Sequence, residues 1–188
     1  MNRILLLLLF VSQAVLAQEE SAMLDKKNEF RIDALSLIAQ GKLNLSYERF
    51  LNKDFSVGVT GSYSNSDKIT EDYKAGFRNN QPKYEVVPFV RYNMTASQTS
   101  FYFVEAFVSA NGGSAREIVR VDDGSVAHYE IIEEDYSDVA IGGSLGYKIY
   151  FKEKFGVEFL VGFGSNLIDK DKSPDVISRV GLSFGYRF

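Results

Sequence analysis

The 188-residue sequence holds one histidine and no cysteine, and this narrows its chemistry at once. His128 is followed two residues on by Glu130 and preceded three back by Ser125. A hydrolytic triad is defined by geometry, and closeness along one polar stretch does not supply it. An ordinary loop histidine is therefore the favoured reading, with a loop-borne hydrolase as an alternative. Glu130, Glu133, Glu134, Asp135 and Asp138 form an acidic run able to attract divalent cations. The run lacks the Asp/Gly spacing of a calcium loop. No His or Cys residues stand at metal-ligand spacing, and no Gly-rich phosphate loop leads into a helix. Gly143-Ser144 lacks the strand–turn–helix setting of a nucleophile elbow. The expectation is a non-enzymatic chain with no metal and no cofactor.

A second set of chemically capable residues is charged and interleaved with apolar ones. Arg31, Asp33, Glu48, Glu85, Arg91, Glu105, Lys148, Glu158, Arg179 and Arg187 fall, counting by twos, on the sparser and Gly-rich face of short alternating runs. An alternation of this kind is a strand with one greasy face. The clearest cases run from Phe55 to Tyr63 and over the closing stretch 176–188. In the latter, Val176, Val180, Leu182, Phe184, Tyr186 and Phe188 share a side that only Ser178 interrupts.

Eight such strands are predicted. The first runs from about Asn28 to Ala39, although Leu35 and Leu37 spoil its polar side. The others follow around Leu43–Glu48, Phe55–Tyr63, Tyr84–Tyr92, Phe101–Val108, Asp138–Lys148, Phe155–Gly164 and 176–188. Pro88 lies within the fourth, which implies a bulge or local break. Gln40-Gly41, Leu51–Asp54 and Lys152–Lys154 read as tight turns. Ser64–Pro82, Asn111–Ser137 and Ser165–Asp175 read as long polar connections. Within the longest, Asp122-Asp123-Gly124 is a hairpin turn that would carry strands 5 and 6 beyond a membrane. Long connections on one side and short turns on the other are the asymmetry of outer-membrane barrels. Aromatics at strand ends suit the two interfacial girdles.

Residues 1–17 read as a secretory signal peptide: Arg3, an apolar run from Ile4 to Val11, and a small-x-small site ending at Ala17. Residues 18–27 are then a periplasmic lead-in and 28–188 the barrel. Removing the signal leaves 188 − 17 = 171 residues with a charge balance of 20 − 25 = −5, which offers nothing to nucleic acid. A mean hydropathy of −0.12 is compatible with a membrane barrel, because half of each strand faces inward.

The fold class expected is all-β, an eight-stranded antiparallel up-and-down transmembrane β-barrel. Such a barrel is just wide enough for side chains to fill it. An unpaired charge inside is costly, so the inward charges should pair into a plug. A proton or ion path, or a binding pocket, is the other reading of the same residues. A soluble lipocalin-like barrel binding an apolar ligand would need apolar residues inside; Phe101, Phe103 and Phe107, which share a face with Glu105, keep that alternative open.

With its terminal Gly185-Tyr186-Arg187-Phe188 and the alternating strand before it, the chain resembles the small eight-stranded outer-membrane barrels of the outer membrane protein A and X type. More narrowly, Leu45–Gly58 and Val87–Tyr92 look like a bacterial domain-of-unknown-function family of such barrels. The resemblance implies a bacterial outer-membrane location and lipid as a partner. It also implies that Phe184, Tyr186 and Phe188 form the signal read by the barrel assembly machinery. It transfers no activity, and the extracellular loop partner stays unknown.

Overall fold

Period-two alternation has only one way to hide its polar side within lipid, which is to close on itself. The computed structural model describes residues 26–64, 66–94, 99–122, 127–169 and 172–188. Within them β1 (Asn28–Asp33), β2 (Lys42–Phe50), β3 (Phe55–Ser64), β4 (Asn80–Asn93), β5 (Ser100–Asp122), β6 (Ala127–Phe151), β7 (Phe155–Asn166) and β8 (Val176–Arg187) pair antiparallel in sequence order. β8 returns to β1 through Glu29↔Arg187 and Phe30↔Tyr186, so the barrel is closed.

One row of partners runs from Arg187 through Glu29, Glu48, Gly58, Phe89, Phe107, Gly142 and Gly164 to Ile177. The row comes home 187 − 177 = 10 residues along β8. That stagger tilts the strands by about 40° and leaves a narrow interior.

The short turns are built locally. Asn52 accepts from the amides of Asp54 and Phe55 at 2.9 and 2.7 Å. Lys152 and Glu153 take φ of 51° and 57°, the left-handed pair that a tight hairpin demands. A ring of outward aromatics follows at this end: Tyr102–Tyr147, Phe55–Tyr92, Phe30–Tyr47 and Phe155–Tyr186 have centroids 4.5–5.5 Å apart.

The long-loop end departs from expectation. The first strand does not reach Ala39. It stops at Asp33, and Ala34–Gln40 is a helix, α1. Asp33 caps it by accepting from the Leu35 and Ser36 amides, and Gly41 ends it at φ 61°. These are ordinary start and stop signals for a helix. Leu35 and Leu37 break the strand pattern because they follow a helical one, exposed with Ile38 while Ser36 is buried. Gln40-Gly41 is thus a helix terminus rather than a hairpin turn.

The stretch from Ser64 to Pro82 is not all loop. It holds α2 (Asp67–Lys74), capped by Ser66, and the start of β4. The strands range from 6 residues in β1 to 25 in β6. The region from Asn111 to Ser137 is mostly strand, with β5 and β6 paired out to Asp122↔Ala127. Asp123-Gly124 of the expected turn and residues 1–25, including the expected signal peptide, lie outside the described residues. The bulge falls between Pro82 and Tyr84; at Pro88 the β4–β5 register is kept, but the ladder breaks locally, passing from Val86↔Ala110 to Phe89↔Phe107.

Candidate functional site

Alternation sends one side chain in two into the lumen, and the narrow lumen forces those side chains together. In the half nearer the short turns they form one charge network. Arg91 lies at its centre. Its Nε donates to Glu105 at 2.7 Å, Nη1 to Glu48 at 2.9 Å and Glu158 at 2.7 Å, and Nη2 to Glu158 at 3.0 Å. Lys148 reaches Glu48, Glu158 and Glu29 at 2.8, 3.0 and 3.2 Å. Arg31 contacts Glu48 directly and Glu29 at 3.1 Å; its Nε stands 3.4 Å from Glu158 without hydrogen-bond geometry. Arg179 reaches down to Glu105 at 2.5 Å. Four carboxylates (Glu29, Glu48, Glu105, Glu158) meet four cations (Arg31, Arg91, Lys148, Arg179).

Hydroxyls meet acceptor sites that the cations leave over. Ser56 donates to Glu48 at 2.5 Å, Ser144 to Glu105 at 3.0 Å, and Tyr150 to Glu29. Glu29, Glu48 and Glu158 come close enough together to suggest a metal site, but Lys148 and the two arginines already contact this group. The positive charge there is the chain's own.

The inward phenylalanines belong to the same construction. The Arg91 guanidinium lies 4.2 Å from the Phe103 ring and 4.5 Å from the Phe89 ring, and Arg179 lies 4.7 Å from Phe107. A desolvated cation over an aromatic face contributes about 2 kcal/mol. The rings need space, which glycine gives: a Cβ on Gly58 would run into Phe89, and one on Gly146 into Phe103. Glycine and aromatic therefore face each other across neighbouring strands.

Not all ten charged positions join this cluster. Glu85 lies further out, paired with Lys42 at 2.9 Å and Ser109 at 3.0 Å. Asp33 is the helix cap and also accepts from the Leu182 amide, 3.2 Å away. Arg187 donates to the Lys26 carbonyl at 2.6 Å and lies over Phe50 and Tyr150 at the short-turn mouth. Sequence reasoning missed Glu29, Lys42 and Tyr150. Glu29 was findable, being two residues before Arg31 on the same face.

Above the apolar band, Asp138 organises the β7–β8 connection. It accepts from the amides of Leu167, Ile168 and Asp169 at 2.9–3.2 Å and from Ser173 Oγ at 2.6 Å. Burial by itself would raise its pKa, but the Ser173 hydroxyl and the amides of Ile168, Asp169 and Val139 outweigh that and hold it at about 2. His128 sits in the outer hairpin opposite Val121, and its side chain is exposed, as is that of Glu130. Ser125, the third member of the hydrolase alternative, lies outside the described residues.

Phe184, Tyr186 and Phe188 line up on the outer face. Phe188 stacks near Phe30 at 5.8 Å and exchanges backbone hydrogen bonds with Asn28 at 2.8 and 3.0 Å.

No protein-family model and no curated protein matches this sequence, so the narrower likeness to a domain-of-unknown-function family has no family model behind it. Solved structures do match. The N-terminal β-barrel domain of Pseudomonas aeruginosa OprF aligns with 87% of this chain and 98% of its own, at 14% identity and a TM-score of 0.51. Ail, the attachment invasion locus protein of Yersinia pestis, aligns with 87% of this chain and 99% of its own, at 10% identity and a TM-score of 0.50. At such identities the likeness is one of architecture: the chain has the fold of the small eight-stranded outer-membrane β-barrels.

Proposed function

We propose that the chain is a non-enzymatic barrel of the bacterial outer membrane, its lumen stopped by the charge network. It would act structurally or through its outward loops. One observation carries the reading, the inversion of burial along β7. Phe155, Phe159, Val161 and Phe163 are 50–60% exposed, whereas Glu158 is 3% exposed. Lipid rewards that arrangement and water penalises it. A soluble cup for an apolar ligand would need the reverse. Fractionation tests the location: recovery in the outer membrane, with a heat-modifiable gel shift, is expected, and recovery in the soluble periplasm would end the reading.

The stopped lumen has its own test. Recordings in a planar bilayer should show no steady conductance, and a stable open channel would contradict the plug. The barrel assembly machinery is the proposed partner of the strand carrying Phe184, Tyr186 and Phe188. The outer hairpin of β5 and β6, which exposes Ile118, Tyr129 and Ile131, is the surface we assign to a partner outside the cell.

A further inference from the structure

The wall of the barrel is not paired to the same height all round. Among the described residues, β1 meets β2 no further than Ile32↔Leu45 and β8 no further than Asp33↔Ser183. Both neighbours continue. β2 runs on to Lys42 paired only with β3, and β8 to Val176 paired only with β7. α1 fills the seam between them, with Ser36 turned in and Ile38 85% exposed. It is held there by its caps and by packing rather than by a ladder. Ser178, the lone polar residue in the lipid-facing row of β8, lies along this open edge.

Three of the cavities border the seam, the outermost, of about 280 Å³, being lined by Gln40, Lys42, Glu85 and Ser178. Behind α1 is a polar chamber of about 100 Å³, lined by Ser36, Gln40, Lys42, Glu85 and Arg179, which extends between the strands to Ser178 and Val180. Lys42 and Glu85 present opposite charges 2.9 Å apart, with Arg179 on the same wall. Outside, an apolar groove of about 680 Å³ runs beneath it, walled by Ile32, Leu45, Val59 and Phe184 around Gly61 and Gly185 and reaching down to Phe30, Tyr47 and Tyr186 of the short-turn aromatic ring. Ser46 borders both. The groove lies toward the short-turn ends of the strands, deeper in the membrane than the chamber.

We propose that seam, chamber and groove form one binding site for a membrane amphiphile, a zwitterionic head carried on an acyl chain, entering sideways past α1. The head's phosphate meets Lys42 and Arg179, its ammonium meets Glu85, and the chain lies in the groove. A purely anionic head would place charge beside Glu85, and a tail-less solute would leave the groove empty. The proposal rests on the chain being a membrane barrel, and its test is separable from that reading.

Folded barrel in a non-ionic detergent, its folding checked by the heat-dependent gel shift, is titrated with lysophosphatidylethanolamine and followed by native mass spectrometry. A fatty acid and an alkyl glucoside of equal chain length serve as comparators. One bound zwitterionic lipid per barrel is expected, with the comparators at least about tenfold weaker. Lys42→Gln and Ser178→Trp should each weaken binding about tenfold, and Val161→Trp, on the lipid face elsewhere, should not. If Ser178→Trp does not fold, Lys42→Gln decides alone. Equal retention of all three amphiphiles, preference for the glucoside or fatty acid, or unchanged binding in Lys42→Gln would overturn the site while leaving the membrane barrel standing. A chain that never enters the membrane would instead fail at fractionation.

Discussion

The two halves of the barrel solve the same problem in opposite ways. Near the short turns, every strand is paired on both sides and the lumen is packed with charges and rings. Near the long loops the wall opens at α1, the lumen widens into a polar chamber, and one carboxylate, Asp138, secures a connection. The first half is stiff because ladder and plug constrain each other. Outside the extended β5–β6 ladder, the second is held by separate local devices, namely caps, scattered ion pairs such as Lys42–Glu85 and Lys172–Glu134, and a few amide bonds. A charge network at one end thus leaves the other free to vary its wall.

The sharpest way to break this contrast is at the centre of the plug. Arg91→Met would strip partners from Glu48, Glu105 and Glu158 together. Glu48, Glu105 and Glu158 each keep another cation, but removing one partner from a buried ion-pair network costs about 3–5 kcal/mol, so urea unfolding of the refolded barrel should shift by that much. A loss under about 1 kcal/mol would mean that water or rearranged neighbours replace Arg91 at little cost.

In the outer half, effects should be smaller and local. Asp33→Ala removes the α1 cap and the bond to Leu182; about 1–2 kcal/mol is expected, with amide exchange in α1 rising well before that in β7. Uniform acceleration would mean that the seam and the cylinder unfold together. Phe188→Ser removes a ring contact worth about 1 kcal/mol in the isolated barrel. Its larger effect should be on assembly in cells, read as the fraction of heat-modifiable protein in the outer membrane. Normal assembly would rule out the aromatic strand as the signal.

Acid gives the mildest separation of the halves. Asp138 is held below its ordinary 3.8. Its contribution is therefore full above that value and is lost as pH falls through about 2. Exchange at the Leu167, Ile168 and Asp169 amides should quicken over that window, and Asp138→Asn should abolish most of the pH dependence. An unchanged profile in Asp138→Asn would place the acid response elsewhere.

Period-two alternation alone was enough to place seven of the strands and to say which way their charges point. Arg91, Glu105, Glu158 and Lys148 needed no more than counting by twos, because a strand's side chains have only two directions. Where that code stopped, sequence reading went astray. Leu35 and Leu37 looked like flaws in a strand, although Asp33 and Gly41 bracket them as helix signals. Asp33 does face inward, as counting by twos says, and lines the chamber, but it caps α1 instead of joining the charge network.

What the sequence by itself determined is a closed sheet with a polar inside and an apolar outside, since alternation in an aromatic-rich chain has few other solutions. What only the tertiary structure decided is which charges meet. Pairing across the lumen depends on the ten-residue stagger and the tilt it imposes, which bring Arg91 on β4 to Glu158 on β7 across 67 positions of chain. Ser178 makes the same point. In sequence it is a single interruption in a greasy row. In the barrel it lies on the open edge of β8, because β1 ended early and left that edge to a helix.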